Sequence, residues 1–578
     1  MKMLASKRAA LLAALLLLPL SALAKQPLTH ETMWLMKRVG APVISPDGKW
    51  AVFPVVEPSY DEKEQSSDLW LVPADGSAAP HQITFSKAAE SEVTWSPDSR
   101  RLAFSAKREG DEQNEIYILD LAGGEAQRVT NISTGAHSPQ FSPDGKALLF
   151  TTSVYPGAAD DDANKKAAKA RKDRKYHVRV YESFPIRQWD RWLDDQQVHL
   201  AVQPLDGTVD DRRAEGASKA KDILAGTKLV AEPGFSGRPG EGSRDEIDAV
   251  WSPDGQSIVF AVTTKKNTAA YAEVPVDLYR IAAGGGEPQL IAHDAGGYGR
   301  PRFSPDGKTL YTTFSANNGK AYNLERLVAF DYPSMGNRRV ITSNSDRSVG
   351  GYAISPDGKT ILFTAEDAGL VKVFSVGANG TTAQAIPQER GVYSDLQFAK
   401  NAPVLIGRWG SSINPSEVVR IDLGTVLGTG GHKNLTSFNV AKAAEIDWQP
   451  PQHFWFTSSR GAKIHNFIVL PPNFDATKKY PLLVLMHGGA ANMWQDAISL
   501  RWNYHLLAKP GYVLLMTNYT GSTGFGEKFG QDIQGDPLRG PANDINEAAD
   551  EAIKRFPFID GTRQAAAGAS YGGHLAHW

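Results

Sequence analysis

The residues best suited to chemistry lie in Gly568-Ala569-Ser570-Tyr571-Gly572. A serine with a glycine two positions away on each side fits a nucleophile on a sharp strand-to-helix turn, where a Cβ on either flank would collide with neighbouring backbone. Such a turn exposes the Ser570 hydroxyl and aims the Tyr571 backbone N–H at a developing oxyanion. In a chain with 53 glycines this pattern alone is a weak signal. The sequence upstream strengthens it: His487-Gly488-Gly489 follows an apolar run and offers a second donor, the Gly489 N–H. Two converging N–H groups stabilise a tetrahedral intermediate. His487 is read as shaping that turn. His574 and His577 ride the helix after Ser570 and face away from its hydroxyl, so neither is expected to act as its base.

These residues need a sheet to carry them. From Gln452 onward, Val- and Leu-rich runs alternate with helical stretches, the pattern of an α/β domain. Lys463–Leu470, Tyr480–His487 and Gly511–Thr517 read as strands, and Asp544–Phe556 reads as an amphipathic helix. Arg563–Ala569 reads as the strand entering Ser570, although Gln564-Ala565-Ala566-Ala567 has weak strand propensity and depends on tertiary context.

Ahead of this domain, one phrase recurs six times. Ser45-Pro46-Asp47-Gly48-Lys49 has near-copies beginning at Ser96, Ser142, Ser252, Ser304 and Ser355. Proline presets φ, aspartate bonds back to the backbone and glycine accepts positive φ, so each copy is a turn. Apolar runs follow each turn, as in Trp50–Phe53 and Ile361–Phe363. A spacing near fifty residues leaves room for four short strands per unit, the signature of a β-propeller. The longer interval between Ser142 and Ser252 reads as one blade with an insertion of about 35 residues at Tyr155–Asp190. A degenerate blade is expected near Tyr393–Leu423. That makes seven blades, with eight as the alternative. The domains expected are therefore a leader (1–24), a propeller (25–450) and an incomplete α/β-hydrolase domain (451–578).

The insertion carries an acidic run at Asp160–Asp162 and a basic stretch at Lys165–Lys175, read as a solvated face. Its later part, Tyr181 to Trp192, is aromatic and acidic. Glu182 or Asp190 could receive the free amino terminus of a peptide between Phe184, Trp189 and Trp192. Alternatively, these aromatics dock the insertion onto the propeller.

Composition removes several classes. No cysteine is present, which excludes a disulfide framework, a thiolate metal site, a cysteine nucleophile and a cysteine-linked lipid anchor. Met1–Ala24 has Lys2, Lys7 and Arg8, an apolar stretch from Ala9 to Leu20 and Ala22-Leu23-Ala24, the pattern of a cleaved secretory signal. The apolar run falls short of the ~20 residues of a membrane span, and no later segment is long enough. Cleavage removes three positive charges and takes the formal charge from −2 to −5, which does not suggest a nucleic-acid partner. The expected location is periplasmic or extracellular.

Asn518-Tyr519-Thr520-Gly521-Ser522-Thr523-Gly524-Phe525-Gly526-Glu527-Lys528-Phe529, with Asp532-Ile533, Gly535-Asp536, Phe558-Ile559-Asp560 and Gly568–Gly573, resembles the prolyl oligopeptidase family, above all its acylaminoacyl-peptidase and dipeptidyl-peptidase branch. The likeness covers nearly the whole chain after the leader. It implies Ser570 as nucleophile, backbone donors at Tyr571 and Gly489, no metal or organic cofactor, and a propeller that restricts entry to short peptides, from which dipeptides are released. Some members use a tyrosine side chain near the upstream turn, and this turn has none. The family order Ser, Asp, His implies that the aspartate and histidine lie beyond residue 578, so the 578-residue chain alone is expected to be inactive and poorly soluble. An acylaminoacyl peptidase or esterase of the same fold, and a TolB-like binding module with a vestigial hydrolase part, are the alternatives. Oligomeric state is left open.

Overall fold

A computed structural model describes residues 25–176, 178–181, 184–188, 190–193, 195–205, 220–239, 245–423 and 431–578. The leader 1–24, Glu182 and Trp189 lie outside the described residues.

Seven antiparallel blades account for the repeats. They run from Arg38 to Gln82, Glu90 to Arg128, His137 to Asp222, Asp248 to Ala292, Gly296 to Val340, Tyr352 to Ala385 and Val392 to Asn434. The sixth and seventh are joined by one parallel pair, Val371 with Val392. The seventh is the blade without the repeated phrase.

Each Ser-Pro-Asp turn links the first strand of its blade to the second, and the same local bonds recur in every copy. In the first, Ser45 Oγ donates to Asp47 Oδ1 at 2.6 Å and accepts from Trp50 N–H at 3.0 Å. Asp47 Oδ1 also accepts from Lys49 N–H at 3.1 Å. The serine is buried while the turn is wet, so its hydroxyl must satisfy backbone that the sheet cannot. Neighbouring turns also touch: a Cβ on Gly307 would lie 2.8 Å from Pro253, one blade back. The ring closes by packing and by hydrogen bonds between the first and seventh blades, such as Ile44 N–H to Gln397 Oε1 at 2.7 Å and Asn401 N–H to the Pro46 carbonyl at 2.9 Å. Val39, Ile44 and Phe53 of the first blade share a core with Ile406 and Val418 of the seventh, and no strand is exchanged between them.

The insertion is longer than the sequence reading. It occupies the whole connection between Val154 and Gln197, the second and third strands of the third blade. Arg187-Gln188 and Arg191-Trp192 form a hairpin inside it, so the chain does not rejoin the blade at Asp190. The charged stretch is a helix, Asp161–Lys172, rather than only a solvated face. Asp160 caps it by accepting from Ala163 N–H at 2.8 Å, and lysine and arginine occupy its last turn, which complements the helix dipole. Asp161 ties the helix to the second blade by accepting from Ser133 N–H and Oγ at 2.9 and 2.6 Å.

The α/β part is a five-stranded sheet: β1 (Gln452–Thr457), β2 (Lys463–Val469), β3 (Tyr480–Met486), β4 (Val513–Asn518) and β5 (Ile559–Gly568), in the order β1-β2-β4-β3-β5. β4, β3 and β5 run parallel. Helix α1 (Arg539–Arg555) starts before the expected Asp544, because Pro541 falls in its first turn, where a missing N–H costs nothing. Its Ile545, Ala548, Ala549 and Ala552 pack with Leu482, Val484, Val513 and Leu515 of the sheet. The alanine run is held in β5 by its ladder to β3, with Leu483 opposite Ala565 and Leu485 opposite Ala567. Among the described strands β5 is the sheet edge, and its residues from Thr562 to Gly568 are exposed.

The two parts meet at the propeller rim formed by connections between second and third strands. Ala368 N–H of the sixth blade donates to the Gly524 carbonyl at 3.1 Å. In the fifth, the Tyr322 carbonyl accepts from Gln531 at 2.9 Å. The insertion springs from the equivalent connection of the third blade.

Candidate active site

Register sets the geometry. β3 and β5 are parallel neighbours with Met486 opposite Gly568. The next residues of each strand, His487-Gly488-Gly489 and Ala569-Ser570-Tyr571, therefore leave the sheet side by side at its carboxyl edge, the edge where open α/β sheets build their sites.

Ser570 has φ 56° and ψ −123°, a conformation that is strained for a residue with a side chain, and it stands between β5 and helix α2 (Tyr571–His577). Its flanking glycines are obligatory. A Cβ on Gly568 would lie 2.2 Å from the Gly572 carbonyl, and one on Gly572 would lie 2.2 Å from the Met486 carbonyl. Gly488 lies against the same turn, with its Cβ position 3.0 Å from the Ala569 carbonyl and 3.5 Å from Ser570 Cβ. Gly489 has φ 60° and open space around it. The strand, strained serine, helix and adjacent glycine turn together form a nucleophile elbow beside a place for an oxyanion.

The turn is fixed from beneath by His487, read from the sequence as shaping it, and by groups to which that reading gave no role. His487 is 3% exposed and lies flat on Tyr519, ring centroids 4.3 Å apart. Ser522 Oγ donates to the Tyr519 carbonyl at 2.7 Å, which leaves it to accept from His487 Nε2–H at 2.9 Å. Tyr519 Oη donates to the His487 carbonyl at 2.7 Å. Burial lowers the His487 pKa to about 4, so the ring is neutral at physiological pH. It is a brace for the turn. Next to it, Asp544 is wholly buried and accepts from Thr520 N–H at 3.0 Å and Oγ1 at 2.5 Å, and burial raises its pKa. Tyr519, Thr520 and Ser522 belong to a stretch whose composition gives no sign of these partners, because the partners are 24 to 35 residues away.

Ser570 is exposed, and among the described residues its hydroxyl has no hydrogen-bond partner. His574 and His577 are exposed on α2. The Tyr571 hydroxyl donates to the Pro537 carbonyl, which turns its ring away and leaves its backbone N–H as the only polar group it offers the site.

The chain matches the family model of the prolyl oligopeptidase family over residues 498–578 and that of the TolB beta propeller domain over residues 30–166. The hydrolase part of the chain thus matches the prolyl oligopeptidase family. It is a serine peptidase, and the binding-module alternative falls with that assignment. Among curated relatives, dipeptidyl-peptidase 5 of Porphyromonas gingivalis is 28% identical, the match covering 95% of this chain and 76% of that protein. Dipeptidyl-peptidase 5 of Trichophyton equinum is 29% identical over 95% of this chain and 75% of its own. Among solved structures, the acylaminoacyl peptidase of Pyrococcus horikoshii superposes with a TM-score of 0.69 at 18% identity, over 95% of this chain and 76% of that one. A puromycin-hydrolyzing peptidase of Mycobacterium tuberculosis gives 0.61 at 15%, over 96% and 77%. At these identities the superpositions speak for the fold.

The insertion residues are less gathered. Asp190 is exposed on the hairpin turn. Phe184 and Trp192 are 60% and 54% exposed, and Trp192 packs within the insertion on Tyr181 and Arg187. Neither aromatic is buried against a blade, as the docking alternative requires. Among the described residues there is no cluster of three metal-ligating side chains and no helix long and apolar enough to cross a membrane.

Proposed function

We propose that this peptidase is exported and releases dipeptides from the amino termini of short peptides through an acyl-enzyme on Ser570. The observation that carries the reading is the strained Ser570 elbow, in register with the Gly488-Gly489 turn. The Ser570 hydroxyl attacks the scissile carbonyl, and the Tyr571 and Gly489 N–H groups receive the oxyanion. The intermediate collapses with cleavage of the C–N bond, the rest of the peptide leaves as an amine, and water then hydrolyses the ester to free the dipeptide and Ser570. Relatives named dipeptidyl-peptidase 5, matched along 95% of the chain, support the release of dipeptides. The proton of Ser570 passes through a histidine, oriented by an aspartate, to the departing amine; the family order places both groups after the serine. The leader pattern at Met1–Ala24 supports export to the periplasm or beyond. Glu182 or Asp190 holds the substrate amino group, because the insertion rises from the type of connection that elsewhere meets the hydrolase part.

The deciding experiment is mass spectrometry of products from a hexapeptide with a free amino terminus and from its N-acetylated twin, using the full-length protein and Ser570→Ala. Dipeptide from the free peptide alone, lost in Ser570→Ala, is the expected result. Turnover of the acetylated peptide alone gives the acylaminoacyl-peptidase reading. Dipeptide release that survives in Ser570→Ala overturns the mechanism.

A further inference from the structure

Past Gly489 the chain has no helix or strand until Tyr504, so the oxyanion turn is continued by a segment that cannot support itself. That segment is gripped by the propeller. Asp496 N–H donates to the Gly369 carbonyl at 2.8 Å, and Gly369 N–H donates to Met493 Sδ at 3.1 Å. Asp496 Oδ1 accepts from both Ser412 N–H, at 2.9 Å, and Ser412 Oγ, at 2.6 Å. The Ser412 carbonyl, which can only accept, is 3.0 Å from His505 Nε2 and so receives its N–H; burial lowers the His505 pKa to about 4, so the ring is neutral and carries its one proton there. All three polar groups of Ser412, a seventh-blade residue 1% exposed, are thus spent on the hydrolase part. Gly369 is the sixth-blade counterpart, with φ 83° and a Cβ position 2.5 Å from Phe467 of β2. No side chain fits so close an approach.

From Asp496 the restraint runs back to the turn through bonded residues. Trp494 N–H is held by Asn518 Oδ1 at 2.7 Å. The Asn492 carbonyl accepts from Thr523 N–H at 3.0 Å, and its side-chain amide donates to the Gly488 carbonyl at 3.2 Å. Gly488 is the residue that lies against Ser570.

We propose that Ser412 and Asp496 are a positioning pair through which the propeller holds the Gly488-Gly489 turn in register with Ser570. The inference rests on the reading of that turn as the second oxyanion donor. Neither residue touches substrate. A misplaced donor weakens the transition state far more than the ground state, because the oxyanion exists only after attack. Loss of the pair should therefore lower kcat and leave KM alone, whereas a gate between the two parts would move KM.

The test uses the full-length enzyme with Ser412→Ala, Ser412→Thr and Asp496→Ala. It reads kcat and KM on a chromogenic dipeptide substrate and the inhibition constant of the matching dipeptide aldehyde, whose adduct with Ser570 needs the oxyanion donors. Ser412→Ala is expected to lower kcat about tenfold and weaken the aldehyde by a similar factor, with KM within about twofold. Ser412→Thr, which keeps the hydroxyl, should restore most of both. Aldehyde inhibition and kcat unchanged within about twofold in Ser412→Ala, or a rise in KM alone, overturns the proposal. Ser412→Ala removes one hydroxyl and decides the matter if Asp496→Ala does not fold. A wild-type enzyme whose activity does not depend on Ser570 would instead overturn the reading beneath it, whatever the Ser412 variants do.

Discussion

The two halves of this molecule hold their backbone in place in opposite ways. In the propeller, the serine and aspartate side chains of each turn bond to atoms within five residues, and the arrangement occurs six times. In the hydrolase part, one strained residue depends on partners far along the chain. The Ser570 elbow packs on Gly488, which is braced by Tyr519 and, through Asp496, by Ser412. Repetition spreads stability over many equivalent sites, so no single turn is decisive. Catalysis concentrates strain at one place, and the surroundings must over-determine that place.

The contrast is broken most directly at Gly572. Its Cβ position, 2.2 Å from the Met486 carbonyl, leaves alanine no room unless β3 and the elbow separate. We expect Gly572→Ala to reduce kcat/KM by more than about 100-fold, the scale of losing an oxyanion donor, and to slow fluorophosphonate labelling of Ser570 equally. Its propeller counterpart is Gly358→Ala. There φ is 70° but the nearest atom to the new Cβ is 3.6 Å away, so stability should fall by about 1 kcal/mol and activity should be kept. Equal activity loss in the two variants would erase the distinction.

The same difference explains what the sequence made legible. The propeller could be read because its code is local: Ser-Pro-Asp-Gly states its own turn, and six copies state the period. The degenerate seventh blade followed from it. The elbow was legible because steric necessity leaves glycines at fixed offsets from the serine. The insertion helix was missed although it carries its own signals, an aspartate cap and a basic last turn, because it has no large apolar residue to mark a buried stripe. The brace of His487 by Tyr519 and Ser522, and the Ser412–Asp496 contact, could not be read at all. Their partners are separated by 32 to 84 residues, and single residues at such distances carry no periodicity.

Acid should separate the halves. Burial holds His453, His487 and His505 near pKa 4 and His465 near 3, all in the hydrolase part. In the propeller, burial lowers His432. The unfolded chain takes up these protons from about pH 6.5, while the folded hydrolase part refuses them until about pH 4. Its stability is therefore full above pH 6.5 and falls towards pH 4, on the order of 3 kcal/mol for His487 alone; the raised Asp544 offsets part of this. In the propeller, Glu115 is pushed up to about 7 by burial, so the folded form keeps a proton that the unfolded chain releases above about 4.5, and acid favours it. The serine hydroxyls hold Asp144, Asp254, Asp306 and Asp357 below the usual range, so what those turns contribute is lost only below about pH 4. Hydrogen exchange at pH 5.0 against 7.5, corrected for the intrinsic rate, should show lost protection in β2, β3 and β4 and little change in the blades. Equal loss in both halves would mean that the blades and the sheet unfold as one unit.

The smallest effect is expected from a single turn. Ser355 Oγ donates to Asp357 at 2.5 Å and accepts from Thr360 N–H at 3.0 Å, and the serine is nearly buried. Ser355→Ala leaves that N–H without its partner at the sheet end, a loss of about 1 to 2 kcal/mol. The turn lies at the far end of its blade from the rim that meets the hydrolase part, and five equivalent turns stay intact. Thermal unfolding should shift down by a few degrees, with kcat and KM unchanged within error. A kcat loss in Ser355→Ala as large as that expected of Ser412→Ala would mean that strain passes along the whole length of the blade. The active site would then depend on the ring as a rigid body, and the few residues of the sixth and seventh blades that touch it would have no special place.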